Sequence, residues 1–307
     1  MFASWIIAAA AAAQILPVII PLQKTPPHPA ERIAPIEISG PEFAARCKDG
    51  DALDKPAPPV GIFGNTYLVG TCGVSSMLIT DPAGDILIDG GTEDDADLIA
   101  ANITSLGFRL RDIKYILHSH EHFDHVGGIA QLQRMTGAQL LASPAAAGVL
   151  NSGAASAADP QFGMNPTFPA AHVDRVIGDG EQVRVGNTVL IAVATPGHTP
   201  GALTWRWGSC QGGACRQIVY ADSLTPVSSD KYRFSDHPAY LAAYRASIAK
   251  VAALTCDILL TPHPSQSDMI DRLAGRAPLE DVNACRDYAA KLTKQLDERL
   301  AKEAAGK

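Results

Sequence analysis

The stretch Ile116-Leu-His-Ser-His-Glu-His-Phe-Asp-His-Val-Gly-Gly128 places four histidines and one aspartate within eight residues. Imidazole and carboxylate are good donors to divalent zinc, so the run reads first as a metal site. His120 and His122 are two apart and project to one side of an extended segment. Asp124 and His125 are adjacent and diverge, which suits a second metal beside the first. Gly127 and Gly128 allow a tight turn, and the apolar Ile129, Leu132 and Met135 predict a short helix beyond it. The competing reading is a solvated histidine tract. It fits poorly with an apolar strand before the run (Tyr115, Ile116, Leu117) and a Gly-Gly helix start after it. His118 lies outside the spaced quartet and reads as a buried supporting residue.

Working outward, the first half shows strand patterns at 66–69, 76–80, 85–89, 113–117 and 139–142. A helix is expected over 92–106, opened by Glu93, Asp94 and Asp95 and stopped by Gly107, and another is opened by Ser143-Pro144. Residues 151–170 carry little periodicity and are expected to form a mobile flap, with Gln161, Phe162, Met164 and Phe168 supplying an apolar surface and one polar contact. The second half repeats the theme, with strands at 182–185, 188–194, 202–207, 217–221 and 258–260, and helices over 236–254 and 279–301. Strands and helices in this order, with candidate ligands at strand exits, predict an α+β chain of two sheets packed face to face with helices outside.

Length and composition narrow the class. The 307 residues suffice for one domain with a sizeable core, expected over 60–307 with halves near 60–175 and 176–307. A net charge of −7 and the lack of a basic stripe exclude nucleic acid as the natural partner. Residues 1–22 are apolar without a charged side chain, and Pro17 and Pro21 disfavour a spanning helix. They read as a secretory signal over 1–23 that lacks the usual early Lys or Arg, followed by a Pro-rich arm over 24–59. Six cysteines agree with export, although six allow fifteen pairings. Cys210 and Cys215 flank a Gln-Gly-Gly-Ala turn, Cys256 and Cys285 flank the last strand and last helix, and elimination leaves Cys47 with Cys72. None has zinc-finger spacing, so any metal falls to the histidines.

Two further histidines occupy Pro-stiffened strand exits. His198 lies in Ala194-Thr-Pro-Gly-His-Thr-Pro-Gly201 and His263 in Leu260-Thr-Pro-His-Pro264. His28, His172 and His237 lack that setting and are left as structural or surface residues. No Ser-x-x-Lys motif offers a serine nucleophile.

With these residues in place, His120-x-His122-x-Asp124-His125 plus His198 and His263 resembles the metallo-β-lactamase superfamily, over roughly 61–263. In detail the chain looks like a subclass B3 enzyme near the AIM-type branch, because the zinc-binding cysteine of subclass B1 has no counterpart. The resemblance implies an αββα sandwich and two zinc ions (Zn2+), one on His120, His122 and His198 and the other on Asp124, His125 and His263. It implies that Ser223 and Thr225, in Tyr220-Ala-Asp-Ser-Leu-Thr225, face the substrate, that Gln161 touches it from the flap, and that Asp89 supports a ligand histidine from behind. The implied activity is hydrolysis of β-lactam antibiotics by a hydroxide between the metals, with Asp124 as the catalytic residue orienting it. Its setting would be a periplasmic monomer without an obligate protein partner. A lactonase or glyoxalase-II-like thioesterase of the same superfamily is the alternative, in which Asp222 would bridge the metals. Neighbours on a strand face opposite ways, so Asp222 and Ser223 cannot both point there, and Ser223 is expected inward. A non-catalytic zinc-binding module is the third reading, disfavoured by a complete ligand set.

Overall fold

The computed structural model describes residue 1, residues 38–48 and residues 52–306. The expected signal at 1–23 lies outside the described residues apart from residue 1, as does much of the arm at 24–59. Every element belongs to the unit Ile33–Lys307.

One sheet takes its seven strands in chain order: β1 (Val60–Phe63), β2 (Thr66–Leu68), β3 (Met77–Asp81), β4 (Gly84–Ile88), β5 (Ile113–Leu117), β6 (Gln139–Ala142) and β7 (Val173–Val176). It is antiparallel through β4 and parallel from β4 to β7. The other has five, β8 (Gln182–Val185), β9 (Thr188–Ala194), β10 (Leu203–Gln211), β11 (Ala214–Tyr220) and β12 (Ile258–Leu260), in the order β12-β11-β10-β9-β8. Only β11 and β12 are parallel in it.

Strand alternation sorts the side chains into layers. Ile86 and Ile88 face the second sheet and meet Trp205, Trp207, Ile218, Tyr220, Ile258 and Leu260 in the central core. Leu87 between them faces outward, with Leu78 and Ile116, onto α2 (Ala96–Ser105) and α4 (Ile129–Thr136) through Ile99, Ile103 and Leu132. On the opposite flank Val219 and Leu259 meet Tyr244 and Ile248 of α6 (Pro238–Ala252), and Tyr288 and Leu292 of the terminal helix (Ala284–Ala304). The result is the expected helix–sheet–sheet–helix sandwich. Each fully buried Leu, Ile or Val contributes about 1.5–3 kcal/mol, so three such interfaces readily support the domain. Among the described residues no helix is long and apolar enough to cross a membrane.

All six cysteines are bonded, as Cys47–Cys72, Cys210–Cys215 and Cys256–Cys285. The first ties the described part of the arm, α1 (Gly40–Arg46) capped by Ser39, to the loop before β3. Several elements depart from the expected pattern. β10 and β11 run on past 207 and start before 217, because Cys210 faces Cys215 in register across the turn. β7 was not foreseen, since Val173–Val176 is an edge strand whose last three residues are exposed. The terminal helix starts at Ala284 rather than near 279, because Asp281 N–H donates to Asp257 O and holds the chain against the end of the sheet.

Candidate metal centre

The exits of β4, β5, β9, β11 and β12 gather at one edge of the sandwich. Hydrogen bonds lace the two sheets together there. Leu203 N–H donates to Ser119 O (2.7 Å), Trp205 Nε1–H to His118 O (2.8 Å) and Ser75 Oγ–H to Thr261 O (2.8 Å). Tyr220 spans the gap, its hydroxyl donating to Asp89 Oδ2 at 2.7 Å. Strand ends at such an edge are natural places for a site, because loops there converge on a rigid frame.

The residues predicted from the central stretch come together. After β5 the chain leaves the sheet and bends at Ser119 and His122, then enters α3 (Phe123–Val126), which presents Asp124 and His125 from a helical turn. Donor atoms of His120, His122 and His198 all lie within 4.8 Å of one another, as do those of His120, Asp124 and His125. His263 Nε2 stands 3.3 Å from His125 Nε2 and 3.5 Å from Asp124 Oδ2, closing the second group. His172 and His237 are elsewhere, the first exposed and the second stacked on Tyr232, and His28 is outside the described residues.

Three of the histidines are hydrogen-bonded through Nδ1. His120 Nδ1 lies 2.8 Å from Asp222 Oδ1, His198 Nδ1 2.9 Å from Thr225 O, and His263 Nδ1 3.0 Å from Gly73 O. His125 Nδ1 faces Asp89 Oδ2 at 3.8 Å. His122 is the exception in kind, because its Nε2 is engaged, 2.9 Å from Asp159 Oδ2. Such partners fix tautomer and ring orientation in metal sites. The loop before His198 fits tightly against a helix, and a Cβ on Gly197 would collide with the ring of Tyr244.

The electrostatics follow from crowding. Burial and the neighbouring imidazoles push His120 well below the ordinary histidine value, and burial with His122 nearby takes His198 down to about 3. Burial opposes ionisation of Asp124, but His125 and His263 outweigh it and hold the carboxyl below the usual carboxylate range. His120 and His198 are therefore neutral and Asp124 ionised, protonation states that suit a divalent cation, whereas at His125 the opposing effect of burial is outweighed by Asp124, which raises the ring above the ordinary histidine value. One further observation fits a metal. His120 Nε2 is buried with no hydrogen-bond partner, a state that costs about 1–3 kcal/mol unless something else satisfies it.

The remaining predicted residues are placed as follows. Ser223 is fully buried and its hydroxyl has no partner. Asp222, also fully buried, is turned behind His120, where its Oδ2 accepts Leu224 N–H at 3.2 Å. Thr225 Oγ1 lies 3.0 Å from His198 Nδ1, and Gln161 Nε2 lies 3.2 Å from His198 Nε2. Asp89, at a left-handed φ of 65°, accepts Ser119 N–H at 2.6 Å and so anchors the strand exit more closely than it does any ligand ring. His118 is buried and accepts Ser143 N–H through Nε2. The loop between α5 (Pro144–Ser152) and β7 contains no helix or strand and is closed at its base by Phe168 N–H donating to Gly153 O. Phe162 and Met164 are exposed on it, whereas Phe168, expected on the same surface, packs into the outer core.

Two supporting carboxylates went unread in the sequence. Glu121, inside the motif itself, accepts Thr199 Oγ1–H (2.7 Å) and Gly201 N–H (2.8 Å), which straps the His198 loop to the central stretch. Its signal was available, an acidic residue between two ligands. Asp159 sits in an aperiodic loop, and nothing in its local pattern marks it.

A fold of two sheets between helices, with six His and Asp donors at one edge, defines a metal-dependent hydrolase scaffold. The sequence profile of the metallo-beta-lactamase superfamily matches residues 69–263, and the chain belongs to that superfamily. Among solved structures, the MIM-2 metallo-beta-lactamase is 52% identical, with 87% of this chain and 98% of that one covered and a TM-score of 0.83. MEM-A1, a subclass B3 metallo-beta-lactamase isolated from a soil metagenome library, is 45% identical, covering 83% of this chain and 100% of that one at a TM-score of 0.81. The hydroxyacylglutathione hydrolase of Anaeromyxobacter dehalogenans is 29% identical over 198 residues, 64% of this chain and 63% of that protein. The chain spans about half the length of the curated relatives it matches.

Proposed function

We propose that this protein is a zinc-dependent β-lactamase of the subclass B3 kind, hydrolysing the amide bond of β-lactam antibiotics at a dinuclear centre. His120, His122 and His198 would hold one metal, and Asp124, His125 and His263 the other. Bound there, the metals supply Lewis acidity and lower the pKa of water from about 15.7 to about 7. The chain's own contribution is orientation. Asp124, held ionised by its histidine neighbours, would accept a hydrogen bond from the attacking water and fix its direction. With Nε2 turned to a metal, His198 Nδ1–H would be shared between Thr225 O at 2.9 Å and Thr225 Oγ1 at 3.0 Å, which leaves the Thr225 hydroxyl proton to donate to a substrate carboxylate. Ser223, whose hydroxyl has no protein partner, is the second such donor. Gln161 extends an amide over His198 and is the polar contact from the flap. The partner is a small molecule, and we place the enzyme in the periplasm as an exported monomer.

The observation that carries the choice of substrate is Asp222. A bridging aspartate, as the thioesterase and lactonase reading requires, would turn its carboxylate toward the unpartnered Nε2 side of His120. Here it faces Nδ1, on the far side of the ring. The test is to offer the zinc-loaded protein a chromogenic cephalosporin, an acyl-homoserine lactone and an S-acylglutathione in parallel. Turnover of the cephalosporin is expected, and turnover of only the lactone or the thioester would overturn the proposal.

A further inference from the structure

We infer that Asp159 is a positioning residue that couples occupancy of the metal centre to closure of the loop over it. The inference rests on metal binding by the six-residue site. Asp159 is 3% exposed, and its two carboxylate oxygens do different things. Oδ2 stands 2.9 Å from His122 Nε2, while Oδ1 accepts the backbone N–H of Gln161 at 2.7 Å. One side chain therefore grips both a ligand ring and the residue whose amide reaches to 3.2 Å from His198 Nε2. The adjoining Pro160 carbonyl accepts Ser229 N–H at 2.9 Å, so the same two residues dock the loop against the segment after β11.

What sets His122 apart is where its support comes from. His120, His198 and His263 are held through Nδ1 by groups at strand exits or in the loop before β3, all parts of the sandwich. His122 is held through Nε2, and from the loop between Gly153 and Phe168 alone. An acceptor on Nε2 places the proton there and leaves Nδ1 with its lone pair for a metal. When the loop lifts, His122 loses the group that selects that tautomer. When a metal fixes His122, the Asp159 acceptor has a pre-oriented donor and the loop is held down. By linkage the two effects are equal in size, so whatever closes the loop also tightens metal binding.

The experiment compares the full-length wild type with Asp159→Ala and Asp159→Asn. Zinc affinity is read by competition with a chromophoric chelator, and loop closure by hydrogen exchange of a peptide covering residues 156–168. Asparagine keeps an amide oxygen for Gln161 N–H but turns a donor toward His122, so it separates the two halves of the grip. In the wild type, zinc should slow exchange in the peptide. Asp159→Ala should lose about 10–100-fold in zinc affinity, the usual cost of removing a ligand's supporting partner, and its loop should exchange alike with and without zinc. Asp159→Asn should lose affinity while the loop keeps protection at Gln161, and this variant decides the matter if the alanine form does not fold. Wild-type zinc affinity in Asp159→Asn, or wild-type exchange that ignores zinc, would overturn the inference. A wild type that takes up no zinc would overturn the proposed function with it, which distinguishes the two failures.

Discussion

Replacing Asp222 by asparagine tests how the centre is built. The two carboxylate oxygens face two different partners, His120 Nδ1 at 2.8 Å and Leu224 N–H at 3.2 Å. An amide of the same shape has a single oxygen. Whichever way it turns, its NH2 group confronts one of these two donors in a fully buried place. If the oxygen stays on His120, Leu224 N–H is orphaned, at a cost of about 1–3 kcal/mol of stability. If it turns to Leu224, His120 loses the partner that orients it, and metal affinity should fall about 10–100-fold. Denaturant unfolding of the chelator-stripped protein reads the first loss, and zinc competition reads the second. Because the amide satisfies only one donor, at least one readout must move by the stated amount. An Asp222→Asn protein with wild-type unfolding midpoint and wild-type zinc affinity would refute the placement of Asp222 behind His120.

Other substitutions probe the supports independently. Glu121→Ala removes the acceptor for both Thr199 Oγ1 and Gly201 N, so about 2–5 kcal/mol of stability should be lost; an unchanged melting temperature would show that the strap contributes nothing. Ser223→Ala should raise KM for β-lactams while leaving zinc affinity alone, and loss of zinc uptake would contradict its role toward substrate. Glu303 governs a pH effect far from the centre. Burial alone would raise its pKa, but the N–H groups of Ser235 and Phe234 and the Arg299 guanidinium together hold it below its ordinary 4.5. A depressed carboxylate stabilises the fold fully above that ordinary value and progressively less as pH falls through the folded one. The stability difference between wild type and Glu303→Gln should therefore shrink below about pH 4.5, and a difference constant down to pH 3 would contradict it.

The legibility of the site had a physical basis. The central quartet stood out by its spacing, and His198 and His263 by their Pro-marked strand exits, while the division of the six between two metals came from the family resemblance. The layers were readable for a similar reason, since Ile86, Leu87 and Ile88 are buried whichever face they take, and an unbroken apolar run implies a sheet covered on both sides. What could not be read depends on tertiary contacts. β7 is an exposed edge strand recognisable only by its neighbour β6. Asp159 and Glu121 are ordinary acidic residues in sequence, and only the folded chain sets one against His122 and the other against the His198 loop. The orientation of Asp222 was open for the same reason, because alternation says that it and Ser223 diverge without saying which faces the centre.

The proposed dinuclear zinc centre can be tested by titrating zinc into chelator-stripped protein while following hydrolysis of a chromogenic cephalosporin. No turnover is expected without metal, and the rate should climb until two equivalents are bound, in step with direct metal analysis. Cephalosporin turnover that survives complete removal of metal, or a fully loaded protein that leaves the β-lactam intact, would contradict it.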